Sequence, residues 1–282
     1  MYTFITDSGF DLPRNLKLPY DIKILPLRVF VNEKEYEDKV SISSQELYNL
    51  ELQGYIPTTS LPKPEIIEKT IRESAEESEE VFIITISSKL SNTYDLVKNI
   101  AISMNLKNVH VLDSKTACIK QGYVILRAME QVKNTGKLTQ ADIDKFEKES
   151  LLAFFVPTLE YLYKGGRIGK AKALIGKVLN LKPILTTDSD GEVSTLGTVR
   201  SMDSAILTIQ NIVNKFIESQ KITDDYTVIG AYTIGSMKTH FEKLIQPYKK
   251  GLIGVTDIGS AIAAHIGPEA FGIVVGKGVH LE

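Results

Sequence analysis

The chain has 282 residues, 43% of them hydrophobic, which suits one large domain or two ordinary ones with substantial cores. Its 33 basic and 35 acidic residues leave a net charge of −2, so there is no general electrostatic reason to bind nucleic acid or an anionic membrane. The single cysteine, Cys118, excludes an internal disulfide and fits a reducing cytoplasm. The stretch from Met1 to Asp7 lacks the basic and apolar regions of a signal peptide, and no apolar run nears the ~20 residues that span a bilayer.

Tyr2 to Thr6 reads as a strand that ends in Asp7-Ser8. Ile22 to Val31 reads as an edge strand or extended arm, because Pro26 has no N–H to give to a ladder. Ser44 to Leu52 is a short helix. In Pro57-Thr58-Thr59-Ser60-Leu61-Pro62-Lys63-Pro64 the prolines exclude a helix interior and leave three hydroxyl residues in a stiff, extended loop. A helix starts near Glu65.

Val81 to Ile86 is an apolar run, followed by the polar turn Ser87 to Thr93. Leu96, Val97, Ile100, Ala101 and Met104 then recur at helical spacing, so the unit is strand, loop, helix. Ser91 or Asn92 is the natural N-cap. The hydroxyls of this loop either cap the helix or hold an anion against its unpaired N–H groups. Val109 to Leu112 is a further strand, ending in Asp113-Ser114, and Gly122 to Lys133 a helix. Strand–helix alternation predicts a parallel sheet with right-handed crossovers. Three of its strands end alike, in Asp7-Ser8, Ser87-Ser88 and Asp113-Ser114. Ligands bind at that edge of such sheets, so a polar pocket is expected there, with Thr58-Thr59-Ser60 beside it.

Residues 135–150 look like a connector, and a different pattern begins near Ala153. Pro183 to Leu185 and Val193 to Leu196 flank the hairpin signal Ser189-Asp190-Gly191. Asp203 to Glu218 is an amphipathic helix, Thr227 to Tyr232 a strand, Phe241 to Tyr248 a helix, and Gly254 to Thr256 and Phe271 to Val275 strands. This predicts an α+β domain with a mainly antiparallel sheet, and a division into residues 1–155 and 156–282.

Lys164 to Lys170 is glycine-rich and basic but is not a nucleotide loop. Only three residues separate Gly165 from Gly169, and Ala171 follows Lys170. Four histidines and one cysteine show no metal-ligand spacing, so no metal is expected. No G-x-S-x-G elbow occurs. A Ser91–His265–Asp113 triad can be written down, although nothing in the spacing demands it. His265 ends a small-residue helix, where it is either a structural or a functional residue.

Taken together, these stretches resemble the DegV family, bacterial fatty-acid-binding proteins that serve as the lipid-carrying subunit of fatty acid kinase. The resemblance covers nearly the whole chain. It rests on Asp7-Ser8 with Asp11-Leu12-Pro13, Pro57-Thr58-Thr59-Ser60, Ser88 to Tyr94 and Asp113-Ser114-Lys115-Thr116. Lys164-Gly165-Gly166-Arg167-Ile168, Lys182 to Leu185, Val199-Arg200 and His265-Ile266-Gly267-Pro268 complete it.

The resemblance implies a Rossmann-like N-terminal α/β domain, an α/β C-terminal domain, and one long-chain fatty acid in an apolar tunnel between them. It implies that Thr59, Ser91 and the backbone at Asn92 hold the carboxylate. Arg167, Arg200 and His265 would serve the head-group network or a partner face. A separate ATP-dependent kinase would phosphorylate the bound acid to an acyl phosphate, and a transient membrane contact is compatible with such a carrier. The chain itself would be no enzyme and need no cofactor. Two positions depart from the family pattern: Asn92 stands where glycine is usual and Leu61 where glutamine is usual. The rival reading is an acyl or ester hydrolase using Ser91 and His265.

Overall fold

The protein was analysed as a computed structural model that describes residues 1–176 and 181–281. β1 (Tyr2–Asp7) and β2 (Ile22–Leu25) pair in parallel. Pro26 ends β2, and the chain then leaves this sheet. The expected single arm is therefore two strands in two sheets. β3 (Arg28–Val31) turns through Asn32 and Glu33 into β4 (Lys34–Glu37). Both turn residues have positive φ, 48° and 66°, as a two-residue hairpin that follows strand twist requires.

α1 (Ser44–Leu52) spans the expected residues, and Ser43 and Glu46 form a capping box at its start. The hydroxyl stretch expected as a loop is instead a strand, β5 (Thr58–Ser60), paired antiparallel with β3 through Val29 and Thr59. Its prolines lie outside the ladder, and two of its three residues are β-branched threonines. α2 (Pro64–Glu77) begins with Pro64 in its first turn, where a missing N–H costs nothing.

β6 (Glu80–Thr85), α3 (Thr93–Ser103), β7 (Val109–Asp113) and α4 (Cys118–Thr135) complete the first layer. Its sheet runs β2-β1-β6-β7, all parallel. α4 starts four residues before the expected Gly122 and ends in a left-handed Gly136 cap. α5 (Gln140–Lys148) is more than a connector. Its Ile143 and Phe146 enter the core, and a buried Lys120–Glu147 ion pair of 2.6 Å ties it to α4.

The second layer contains β8 (Ser150–Phe155), α6 (Glu160–Lys164), β9 (Lys182–Thr187), β10 (Val193–Val199), α7 (Met202–Gln220) and β11 (Tyr226–Tyr232). α8 (Lys238–Ile245), β12 (Leu252–Asp257), α9 (Ser260–Ile266) and β13 (Phe271–Lys277) follow. Its six-stranded sheet has the order β10-β9-β8-β13-β11-β12 and is antiparallel except between β11 and β12. A division at 155/156 leaves β8 with the first part, although β8 pairs with β13 and β9.

The outer face of this sheet packs on α7 and α8 through residues such as Phe155, Phe271, Ile209 and Phe241. Its inner face, with Leu152, Ile229 and Val274, shares one core with α4 and with Phe4 and Phe82 of the parallel sheet. α4 is therefore buried nearly all round along its first three turns, as a helix between two layers must be. Among the described residues, no helix is long and apolar enough to cross a membrane.

Candidate functional site

A cavity of about 230 Å³ lies between the loops at the carboxyl edge of the parallel sheet and the inner face of the six-stranded sheet. α9 forms one wall: Ile262, His265 and Ile266 share a face by their i, i+3, i+4 spacing and all line the space. Leu152 and Phe154 of β8 and Ala231 of β11 form another wall. Most of the lining is apolar. The polar exceptions are Thr59, Ser60, Ser91, Asn92, Arg167 and His265, together with Thr187, whose hydroxyl lies 2.8 Å from that of Thr116.

Two of these polar side chains, Thr59 and His265, bond directly to each other, while Arg167 and Ser91 are held by bonds to neighbouring backbone or hydroxyl groups and Ser60 accepts from Arg28. Pairing of β5 with β3 sets Thr59, whose Oγ1 lies 2.7 Å from Nε2 of His265. Burial, helped by the nearby Arg167 charge, pushes the His265 pKa down to about 4, so the imidazole is neutral at pH 7. If Nε2 carries the ring proton, it donates to Thr59 and leaves the threonine O–H free for an anion. Nδ1 faces Gly165 and has no hydrogen-bond partner among the described residues.

Arg167 donates from Nε to the Leu90 carbonyl (3.0 Å) and from Nη1 to the Gly165 carbonyl (2.7 Å). It pairs with no carboxylate among the described residues. The flanking cations differ: Lys164 is paired with Glu160, and Lys170 with Asp188 and Asp190. Of the glycine-rich basic stretch, only Arg167 thus brings an uncompensated charge to the cavity.

Ser91 lies beside Leu90. Its Oγ accepts from Thr93 N–H at 3.3 Å and lies 2.8 Å from Thr93 Oγ1, so this hydroxyl serves the start of α3 as well as facing the cavity. Asn92 is the N-cap residue but makes no side-chain cap bond. Its φ of −74° shows that the position does not require the left-handed conformation that glycine would supply. Leu61 lines the cavity, and its carbonyl accepts from Arg28 Nε at 2.9 Å.

The structure narrows three readings that the sequence left open. Arg200 does not join the head-group cluster; it is exposed in a separate groove with Lys182 and Tyr163. The Ser91–His265–Asp113 triad does not form. His265 is engaged with Thr59, Ser91 with Thr93, and Asp113 accepts from the N–H groups of Ser88 and Lys115. The acids at the strand ends are structural: Asp7 accepts from Gly9 and Ile86, fixing the loops that follow β1 and β6. Among the described residues, no cluster of three or more His, Cys, Asp or Glu is placed to hold a metal ion.

Sequence reasoning missed the packing role of Gly165 and a buried cluster behind the cavity wall. In that cluster Cys118 Sγ donates to Asp11 at 3.2 Å, and Asp11 pairs with Lys39 at 2.9 Å. Residues 11, 39 and 118 meet only through the tertiary fold, and no spacing signal announces them.

The model of the DegV family, described as an uncharacterised protein family, matches residues 2–277. A DegV domain-containing protein of Clostridium acetobutylicum is 32% identical over 97% of this chain and 98% of its own length. A DegV family protein from Thermus thermophilus, whose structure is described as fatty-acid binding, is 28% identical. It superposes with a TM-score of 0.85 over 98% of this chain and 99% of its own. A stearic-acid-binding protein from Eubacterium ventriosum is 25% identical, with a TM-score of 0.87 over 98% of both chains. By sequence along its whole length and by its two-sheet α/β fold, this chain belongs to the DegV family.

Proposed function

We propose that this protein binds one long-chain fatty acid, with its tail in the apolar cavity and its carboxylate at Arg167, Thr59 and Ser91. The observation that carries this reading is Arg167. It is a guanidinium without a carboxylate partner among the described residues, set beside hydroxyls in a largely apolar cavity. The fatty-acid-binding relatives from Thermus thermophilus and Eubacterium ventriosum support it.

The division of energy follows from the chemistry. Each buried methylene contributes about 0.8 kcal/mol, so a tail of ~14 methylenes contributes about 11 kcal/mol before association costs. A hydrogen bond to a charged group contributes roughly 1.5–3 kcal/mol. The tail therefore dominates affinity, while Arg167, Thr59 and Ser91 fix the direction in which the acid enters. Asn92, exposed at the cavity edge, borders the same head group through its backbone.

On this reading the protein is a carrier without catalytic residues or cofactor of its own. It presents the carboxylate to a separate ATP-dependent kinase, which converts it to an acyl phosphate. Arg167 then also faces the negative charge that builds on the transferred phosphoryl group. The exposed groove containing Arg200 serves as the partner face. The working compartment is the cytoplasm, with brief contact at the membrane to collect acids or deliver product, and no nucleic acid is involved.

The test combines the protein, a long-chain acid, ATP and a bacterial fatty acid kinase catalytic subunit, with hydroxylamine added to trap acyl phosphate. Acyl hydroxamate that depends on this protein is the expected product. Binding of the acid without hydroxamate formation would remove the kinase step and leave a carrier alone.

A further inference from the structure

The cavity follows one row of side chains across the six-stranded sheet. Register places Phe154 of β8, Gly272 of β13 and Ala231 of β11 side by side, with their cavity-facing positions in line. All three line the cavity. The next row is Leu152, Val274 and Ile229, and of these only Leu152 lines it. The difference is side-chain size. Gly272 supplies no side chain and Ala231 only a methyl group, so a trough opens where the neighbouring row is filled by branched residues.

The two ends of this row differ in chemistry. Ile258 lines the cavity near Ala231, since its N–H points to the carbonyl of Tyr232 at 3.4 Å. Ile258 also precedes His265 by seven residues, and the Ser260–His265 part of α9 accounts for about 7.5 Å of that separation along its axis. Ala231 therefore lies away from the Thr59–His265 head-group pair, at the Ile258 end. Behind that end is the closed wall in which Asp11 accepts from Cys118 and from the Gly259 N–H. Strands spaced about 4.8 Å apart put roughly 10 Å between Phe154 and Ala231, enough for several methylenes across the Gly272 gap.

We propose that Ala231 sets the length limit of the acyl chain, with the tail crossing the sheet over Gly272 between Phe154 and Ala231. This rests on the fatty-acid carrier reading. Gly272 itself is a poor site for a test, because a Cβ there would lie 2.6 Å from Phe154 Cβ and 2.8 Å from the Ala153 carbonyl oxygen and disturb the ladder. Ala231 is buried and lines the cavity, so a larger side chain there fills the trough from its far end.

The experiment measures binding of saturated acids from dodecanoic to octadecanoic by competition against one fluorescent fatty acid, for wild type, Ala231→Leu, Ala231→Val and Phe154→Ala. Leucine displaces two to three methylenes of the tail, each of which changes affinity about fourfold. The octadecanoic-to-dodecanoic affinity ratio should fall roughly 15- to 60-fold in Ala231→Leu. Ala231→Val, which suits a strand, should shift the ratio the same way by a smaller factor and serves if the leucine variant does not fold. Phe154→Ala should not lower the ratio, because it enlarges the trough. An unchanged ratio in folded Ala231 variants, with normal binding by wild type, overturns this inference alone. Wild type that binds none of the acids overturns the carrier reading and this inference with it.

Discussion

Thr59 Oγ1 and His265 Nε2 lie 2.7 Å apart, joining a strand of the small sheet to the helix that walls the cavity. Burial holds the His265 pKa near 4, against an ordinary value of 6.5. The unfolded chain therefore takes up this proton first as the pH falls. The histidine's contribution to stability is complete above about 6.5 and is lost as the pH drops toward 4. Imidazole resonances followed by NMR should show His265 neutral at pH 5.5. A midpoint near 6.5 would mean that the ring is solvated and its bond to Thr59 open.

Replacing Arg167 with methionine keeps much of the side-chain bulk and removes the charge. The loss of a charge-assisted contact of roughly 1.5–3 kcal/mol predicts fatty-acid affinity lower by about 10- to 150-fold. A fatty-acid methyl ester, which has no carboxylate, should bind wild type and Arg167→Met with nearly equal affinity. Equal losses for acid and ester would assign Arg167 a packing role instead.

Gly165 lies outside the cavity lining, yet a Cβ built there would overlap Nδ1 of His265 and meet the Tyr161 carbonyl oxygen at 3.0 Å. Gly165→Ala should push the imidazole off Thr59 and weaken acid binding several-fold while the fold persists. The position of the His265 resonances reports the displacement directly. Unchanged resonances and unchanged binding would show that the α6 turn yields instead.

The parts of this architecture that were readable in the sequence are those governed by local periodicity. α1 spans the expected Ser44–Leu52, and the Ser189-Asp190-Gly191 turn joins β9 to β10 as its composition suggests. Pro26 marked a disruption correctly but not its consequence, because the sheet that receives β3 forms with residues about 30 positions later. β5 is hidden for the same reason: three residues beside prolines become a strand only through pairing with Arg28 to Phe30. At the site, motif resemblance located Thr59, Ser91, Arg167 and His265 in one cavity. It could not separate Arg200 from them, since adjacency to a strand end does not say which groove a side chain enters. The Phe154–Gly272–Ala231 row depends on register between strands far apart in the chain, and a single sequence does not display it.

Glu51 lies on the buried face of α1, 3% exposed, and neither carboxylate oxygen has a hydrogen-bond partner among the described residues. Burial raises its pKa from 4.5 to about 9, so it is protonated at neutral pH. A raised acid pKa means that the folded state holds the proton more tightly. The stability this contributes is full below pH 4.5 and is lost as the pH rises toward 9. Thermal melts of wild type and Glu51→Gln should diverge over that window, by at most about 1.4 kcal/mol per pH unit, with the glutamine variant gaining relative stability at high pH. Parallel melting curves from pH 5 to 9 would mean that Glu51 is hydrated and ionised in the folded protein.

The most direct test of the central claim is mass spectrometry of the protein purified gently from bacterial cells, under native and then denaturing conditions. The carrier reading predicts one bound species of fatty-acid mass per chain, released on denaturation and identifying the acyl chain. Folded protein that carries no such ligand, and acquires none when incubated with long-chain acids, would contradict it.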